Sequence, residues 1–566
     1  MDCEAMIQSE DYIELMLPIG RRLQVLEGCR QELGLYDVLS VPYTRDFFRT
    51  TYSFGYYMIP KLFGLLDVQA MEAAGIMQVR RRKNLGLTGT GVLIGFIDTG
   101  IDFACSCFRR PDGTTRVAAV WDQTIQGEQA RPPENFLYGR EYTQEELNEA
   151  VRSDRPYEIV PSRDENGHGT FVASLAAGNE TETITGAAPD AAIAMVKLKP
   201  AKQNMRDYYL IREEADAYQE NDIMAGVRYL EQLSERLRMP LAICLALGTN
   251  QGSRNGTLPL CRCLEAAGKV NGTVIVVGTG NETTRAHHYE GTIDRDSMYE
   301  NVEVRVGAEE QERGFTLELW GREPELFSMA IRSPGGEYIP RMNIRLGKKE
   351  DISFFLEGTV IEFNYRVVVQ ETGEFLIFLR IRNPAQGIWT FQVFNDLKLT
   401  GRFHMWLPMQ HFISPDTVFL NPTPAVTLTS PSDADSVIAV GAYQERDDSI
   451  YLYSGRGYRP DGAVRPDLAA PGVDVAAYVP GAFGDVRTVQ RSGSSAASAI
   501  MAGAAALLLE LSFVRKFREV MTSDDARAFF IRGAKRNTSM LYPNREWGYG
   551  ILDMYGVFEQ IRSQER

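Results

Sequence analysis

Apolar positions follow three patterns along the chain. From about Ile59 to His288, short unbroken apolar runs alternate with stretches spaced for one helix face. The runs Gly91–Ile97, Ala191–Leu198, Leu241–Leu247 and Thr273–Val277 suit strands buried on both faces of a parallel sheet. Asn221–Leu237 places Ile223, Met224, Val227, Leu230 and Leu233 on one helical face, with Asn221 as the expected N-cap. Leu258–Ala267 is a further helix. This alternation predicts an α/β fold with a doubly wound parallel sheet.

From 291 to 425 the period drops to two. Asn301–Val306, Phe315–Trp320, Phe375–Ile381, Ile388–Phe394 and Arg402–Leu407 are short, alternating and aromatic, with Gly and Pro clusters between them. That pattern predicts an antiparallel β-sandwich. The α/β pattern resumes with Ser436–Val440 and the apolar helix Ala496–Leu511, so the sandwich is expected as an insertion in one α/β domain. Ahead of Ile59 lie a strand (Asp11–Ile19), a helix (Arg21–Glu32), a strand (Asp37–Pro42) and the extended run Thr50–Gly55. The expected organisation is a leading α+β segment 1–56, an α/β domain in two parts (57–290 and 426–566), and the insertion 291–425.

Composition narrows the class. Of 566 residues, 44% are hydrophobic and 24% charged, the balance of a globular chain rather than a disordered one. The net charge is −15 and the longest basic run is Arg80–Lys83, read as a surface turn, so no nucleic-acid partner is expected. No window of 18 apolar residues is found, so no membrane span is expected. The start Met1-Asp2-Cys3-Glu4 lacks the positive charge and apolar run of a classical signal peptide. Seven cysteines without a Cys-x-x-Cys pair, and Cys-x-Cys spacing at 105/107 and 261/263, read as reduced thiols rather than a zinc site.

Three segments carry candidate chemistry. Asp98 ends a buried run in Ile97-Asp98-Thr99-Gly100. His168 opens a helix of small and apolar residues in Asn166-Gly167-His168-Gly169-Thr170. Ser495 opens another in Gly493-Ser494-Ser495-Ala496. Reactive groups of doubly wound folds gather at the carboxyl ends of strands and the facing helix N-termini. A serine hydroxyl becomes a nucleophile when a base takes its proton. An imidazole serves as that base near neutral pH, and a carboxylate fixes its tautomer and stabilises the cation.

In the order Asp, His, Ser, these segments resemble the signatures of the subtilisin-like serine proteases, the subtilases. Val276–Glu282 resembles the family's oxyanion stretch, which implies that Asn281 and the Ser495 backbone N–H stabilise the oxyanion. Ala242–Gly248 resembles the strand that pairs with substrate, implying substrate contacts at Ala246, Leu247, Gly248 and Gly278. Arg465–Gly472 resembles the loop before the serine. The likeness covers about 59–290 and 426–560, and the leading segment and jelly-roll-like insertion most resemble the clostridial germination (Csp-type) subtilases. Three positions depart from the family pattern: Ala246 stands where Ser is usual, Ser494 where Thr is, and Ala499 where Pro is.

The resemblance implies a serine endopeptidase acting on protein or peptide substrates through Asp98, His168 and Ser495. No cofactor is required for that chemistry. Relatives commonly hold structural calcium, but no ligand set for it is mapped in this chain. Residues 1–56 are expected to act as a propeptide and intramolecular inhibitor, laying Thr50–Gly55 in the cleft as an added strand. Self-processing by Ser495 is expected between Thr51 and Lys61. A cytoplasmic or spore-associated location is expected.

Each motif alone has an ordinary reading: a turn at Asp-Thr-Gly, a helix cap at Gly-x-Ser, a turn at Gly-Asn. Their order and context favour the site. The alternative function is a non-catalytic regulatory or germinant-signalling scaffold, as in relatives that have lost triad residues. His287-His288 is expected in a loop or pocket rim, His404 and His411 in structural places, and Glu282 in solvent. The sandwich aromatics Trp320, Trp389 and Trp406 are expected in core positions rather than on a carbohydrate-binding face.

Overall fold

The computed structural model describes residues 3–19, 28–44, 47, 56–65, 73–80, 86–180, 185–342, 349–369, 373–481 and 486–564. Among these, a nine-stranded sheet forms the centre of the chain. Its order is 449–450, 438–444, 273–278, 241–245, 93–98, 192–197, 117–122, 140–143, with 468–471 also paired to 438–444. The inner pairings are parallel, and only the edge strands 140–143 and 449–450 run antiparallel. Val, Ile, Leu and Ala fill these strands because helices cover both faces. The chain thus has the α/β architecture with a mainly parallel central sheet that the apolar pattern predicts.

One helix crosses the middle of this sheet's core. Ser494–Leu509 is buried along its whole length, and its Ala, Gly and Ser residues let it lie close to the strands and to His168–Ala177. With its continuation to Val514 it is long and apolar enough to cross a membrane, contrary to the expectation that no such window exists. Its burial inside the α/β domain accounts for that composition.

The strands Thr273–Gly278 and Ile438–Gln444 are neighbours in the central sheet, although 159 residues separate their facing ends. The chain between them forms two antiparallel sheets. One contains His288–Thr292, Phe315–Arg322, Lys349–Phe354, Thr359–Val369, Glu374–Arg382 and Arg402–Trp406; the other is centred on Gly387–Asn395. The first strand opens at His288, so His288 is a strand residue rather than a loop residue. Alternation buries both faces of the six-stranded sheet. Leu317, Leu319, Phe375 and Ile377 fill the sandwich core, while Trp320, Leu376, Phe378 and Trp406 pack on the α/β domain. Trp389 lies in the sandwich core.

The leading segment is a helix, Cys3–Gln8, on a three-stranded antiparallel sheet. Here the expected helix Arg21–Glu32 is corrected at its C-terminal end. Cys29–Leu33 is a strand that turns at Gly34-Leu35 into Tyr36–Pro42. Cys29, Gln31 and Leu33 face inward and Arg30 and Glu32 outward, a period of two that wins over helical spacing. Residues 21–27 of the expected helix, the run Thr50–Gly55 and Arg81–Lys83 lie outside the described residues. Buried charge ties this segment down. Lys202 pairs with Glu14, and Gln219 Nε2 donates to the other Glu14 oxygen at 3.1 Å.

Other details also differ from expectation. Cys3 pairs with Cys29 and Cys105 with Cys107 as disulfides, so these four are not reduced thiols, while Cys244, Cys261 and Cys263 are free. The helix expected from Asn221 starts at Glu220 with Gln219 as N-cap; Asn221 is buried and accepts from Gln219. Arg80 ends a helix, and its guanidinium is buried against Thr185, Gly186 and Glu180 instead of forming a surface turn.

Candidate active site

Three chain segments converge at the carboxyl end of the central sheet. Asp98 is the last residue of Leu93–Asp98, His168 the first residue of His168–Ala177, and Ser495 the second of Ser494–Leu509. His168 Nδ1 lies 2.8 and 3.0 Å from the two Asp98 oxygens. His168 Nε2 lies 3.2 Å from Ser495 Oγ. The Asp98 carboxylate can accept only, so it holds Nδ1 as N–H and leaves Nε2 as the basic nitrogen facing the hydroxyl. Sequence separations of 70 and 327 positions close to hydrogen-bond distances. All three side chains are buried.

Asp164, absent from the candidates drawn from sequence, builds the seat of His168. Its oxygens accept from Gly167 N, Thr170 N, Thr170 Oγ1 and Thr99 Oγ1 at 2.7–2.8 Å. Burial raises its pKa, and the bonds from Thr170, Thr99 and Gly167 pull the other way. Thr99 Oγ1 in turn accepts from Gly169 N, so one carboxylate joins the strand end at Asp98 to the helix start at His168. An Asp shortly before a helix start is the readable signal for such a cap.

Asn281 lies in the turn after Thr273–Gly278, and its Oδ1 accepts from Ser494 N at 3.1 Å. Gly280 N donates to Ser494 Oγ at 3.0 Å. The Asn281 amide is thereby anchored through its oxygen, which leaves Nδ2 as a donor beside the N-terminus of the serine helix. Gly278 ends its strand in register with Val440 and carries this turn. A Cβ on Gly280 or on Gly248 would meet Thr429 at 2.5 or 2.3 Å, so both glycines permit the turn that carries Asn281 and the chain at Gly248 to close on one threonine.

Ala246 and Leu247 are buried where the chain leaves Leu241–Leu245. Leu247 and Gly248 pair antiparallel with Leu65 and Gly64 of the same chain. Leu62 and Phe63 pair on their other side with Gln219 and Tyr218. The strand between the two walls is therefore Leu62–Leu65; the Thr50–Gly55 run expected there is outside the described residues.

Glu282 corrects another expectation, because it is buried rather than solvated. It accepts from Asn250 Nδ2 and His287 Nδ1 at 2.9 Å and from Gln410 N of the insertion at 3.1 Å. Burial alone would raise its carboxyl pKa; the bonds from His287, Gln410 and Asn250 outweigh that and hold it below the ordinary range. His288, His404 and Trp406 stack nearby, and Arg254 lies 4.9 Å over Trp406. Burial lowers His288 to about 3 and His404 well below its ordinary value. His411 sits exposed beside Gln410. Among the described residues no group of three or more His, Cys, Asp or Glu side chains is arranged for a metal ion.

A model of the subtilase family matches residues 89–345 and 420–550, a span that contains Asp98, Asp164, His168, Asn281 and Ser495. The chain belongs to the subtilase family. Among solved structures, the Clostridium perfringens CspB protease matches with a TM-score of 0.76 and 28% identity, covering 87% of this chain and 97% of that one. The subtilisin-like protease SBT3.1 of Arabidopsis thaliana is 24% identical over 447 residues, 74% of this chain. The chain spans about half the length of that curated relative, 53%. Subtilase membership supports a serine peptidase acting on peptides or proteins.

Proposed function

We propose that the chain is a serine endopeptidase whose nucleophile is Ser495. The observation that carries this reading is the hydrogen-bonded row from Asp98 through His168 to Ser495. In the reaction, Ser495 Oγ attacks the scissile carbonyl carbon while His168 Nε2 takes its proton. Asp98 keeps Nδ1 protonated and stabilises the imidazolium. Asn281 Nδ2 and the Ser495 backbone N–H donate to the oxygen as it gains negative charge. The tetrahedral intermediate then expels the amine, which receives its proton from His168. Water, activated by the same imidazole, hydrolyses the acyl-enzyme and restores Ser495.

The same site processes its own chain in this reading. Substrates of such clefts bind as an added strand, and Leu62–Leu65 holds that place between Tyr218–Gln219 and Leu247–Gly248. The cut therefore falls after Leu65, further along than a boundary at 56 would put it, and the segment before it acts as an intramolecular inhibitor. N-terminal sequencing of purified wild type beside Ser495→Ala tests this. Wild type acquires a new N-terminus after Leu65 and the variant stays intact. An intact wild type that hydrolyses peptides would sink the self-processing reading.

A further inference from the structure

Asn281 is half-exposed, and its side chain is anchored through one atom, Oδ1, by Ser494 N at 3.1 Å. Where its Nδ2 points therefore depends on the backbone on either side of it. Gly280 O accepts from Gly455 N at 2.9 Å, and Thr283 N donates to Tyr453 O at 3.2 Å. Between these two fixed points, next to Asn281, stands Glu282, buried to 4% exposure.

The Glu282 carboxylate takes its donors from separate parts of the chain. Asn250 Nδ2, from the loop that follows Leu247–Gly248, reaches Oε2 at 2.9 Å. His287 Nδ1, from the stretch that leads into the insertion, reaches the same oxygen at 2.9 Å. Gln410 N, from the segment that follows the insertion strand Arg402–Trp406, reaches Oε1 at 3.1 Å. Leu407 N also donates to His287 O at 3.0 Å, so the two ends of the insertion close on each other beside this carboxylate. A buried carboxylate is costly without such donors, and with them it is fixed in place. Replacing it disturbs all of these contacts at once, at the residue adjoining the Asn281 amide.

We propose that Glu282 is a positioning residue for Asn281: held by Asn250, His287 and Gln410 N, it fixes the turn so that Asn281 Nδ2 stays aimed at the oxygen that gains charge. This rests on the peptidase reading and extends it to a residue that acts only through its neighbour. A donor stabilises a transition state when it is aimed in advance, and a small misplacement forfeits much of its effect. The sign of the effect separates this role from a direct electrostatic one. A negative charge next to Asn281 would by itself oppose the oxyanion, so neutralising it would raise turnover. Neutralising a positioning carboxylate lowers turnover instead. The insertion then does more than cover the α/β domain, since Gln410 N holds one oxygen of this carboxylate.

The test is a double-mutant cycle on the purified protein, with an internally quenched peptide copying residues 57–72 as substrate. Glu282→Gln keeps the shape of the side chain and removes its charge. In that variant kcat falls about ten-fold or more while KM stays within about two-fold. On the Asn281→Ala background the same substitution changes kcat by less than about two-fold, because the amide it positions is gone. A kcat that rises, a change in KM alone, or an equal fall in both backgrounds overturns the proposal. His287→Leu removes one donor and leaves the carboxylate; it gives the same pattern at about three-fold or more, and decides the question if Glu282→Gln does not fold. A second arm needs no catalysis: hydrogen exchange at Ser494 N, the donor to Asn281 Oδ1, in Ser495→Ala. Adding Glu282→Gln speeds that exchange about ten-fold or more, while the amides of Thr273–Gly278 exchange as before. Unchanged exchange at Ser494, or equal acceleration across Thr273–Gly278, overturns the positioning role. If the wild type leaves the peptide intact but the exchange effect is present, the peptidase reading fails and the positioning of Asn281 stands.

Discussion

The α/β domain and the inserted sandwich bury their residues by different rules. In the α/β domain, small residues bring the ends of a strand and two helices together, and Asp98, His168 and Ser495 meet there. The sandwich contributes none of these three. Its alternating aromatic and aliphatic residues fill one core and cover one face of the α/β domain. It nevertheless reaches the site's margin through polar atoms: Glu318 beside Gly252, and Gln410 N on Glu282. The comparison teaches that the proposed chemistry is local to element ends, while the margin of the site is assembled across the two regions.

The sharpest way to break this division is to remove the chemistry and leave both cores intact. Ser495→Ala lowers peptide turnover by on the order of 10⁶-fold, with thermal unfolding close to wild type. A variant that retains turnover within ten-fold would remove the chemistry from the α/β domain. Next is Asn281→Ala, for which kcat falls by about 10²–10³-fold and KM changes little, because the amide acts on charge present in the transition state. A change in KM alone would make Asn281 a substrate contact.

Two smaller effects probe the seam. Trp406 is buried between His288, His404 and Arg254, so Trp406→Ala costs about 3–5 kcal/mol of stability, read as a lower denaturation midpoint. A cost confined to the sandwich, with the α/β transition unmoved, would mean that the two regions unfold independently. The smallest effect is the pH dependence of the same stack. His288 Nδ1 lies 3.1 Å from Thr423 O, and its Nε2 lies 3.1 Å from His404 Nδ1. Neutral rings satisfy both contacts, with His288 donating to Thr423 and His404 donating to His288. Both imidazoles titrate below their unfolded value in the folded chain. The unfolded chain therefore binds the extra protons as pH falls below about 6.5, and stability declines from there towards pH 3. Each ring contributes about 1.4 kcal/mol per pH unit to that decline. In His404→Phe, the slope of stability between pH 6 and 4.5 is shallower by about one such contribution; an unchanged slope would show that His404 is already charged in the fold.

The central strands and the crossing helix were readable because apolar period and length specify them locally. The three site residues were readable because each stands at an element end inside a short motif. Asp164 and Glu282 were not, since what defines them is a set of partners up to 128 positions away, as Glu282 shows with Gln410. Cys29–Leu33 misled because charged and apolar residues at mixed spacing fit either period, and pairing with Tyr36–Pro42 decides between them. The cysteine reading failed because spacing rules for metals say nothing of two cysteines brought together by a strand and a helix, as Cys3 and Cys29 are.

The central claim is that Ser495, activated by His168 and Asp98, is a competent nucleophile. The direct measurement is labelling of the purified, processed protein with a fluorophosphonate, read by intact mass beside Ser495→Ala. The account predicts one phosphonate per wild-type chain, carried on the peptide that contains Ser495, and none on the variant. A wild type that stays unlabelled, or a variant that labels equally, would contradict it and leave the chain as a scaffold with the shape of a peptidase.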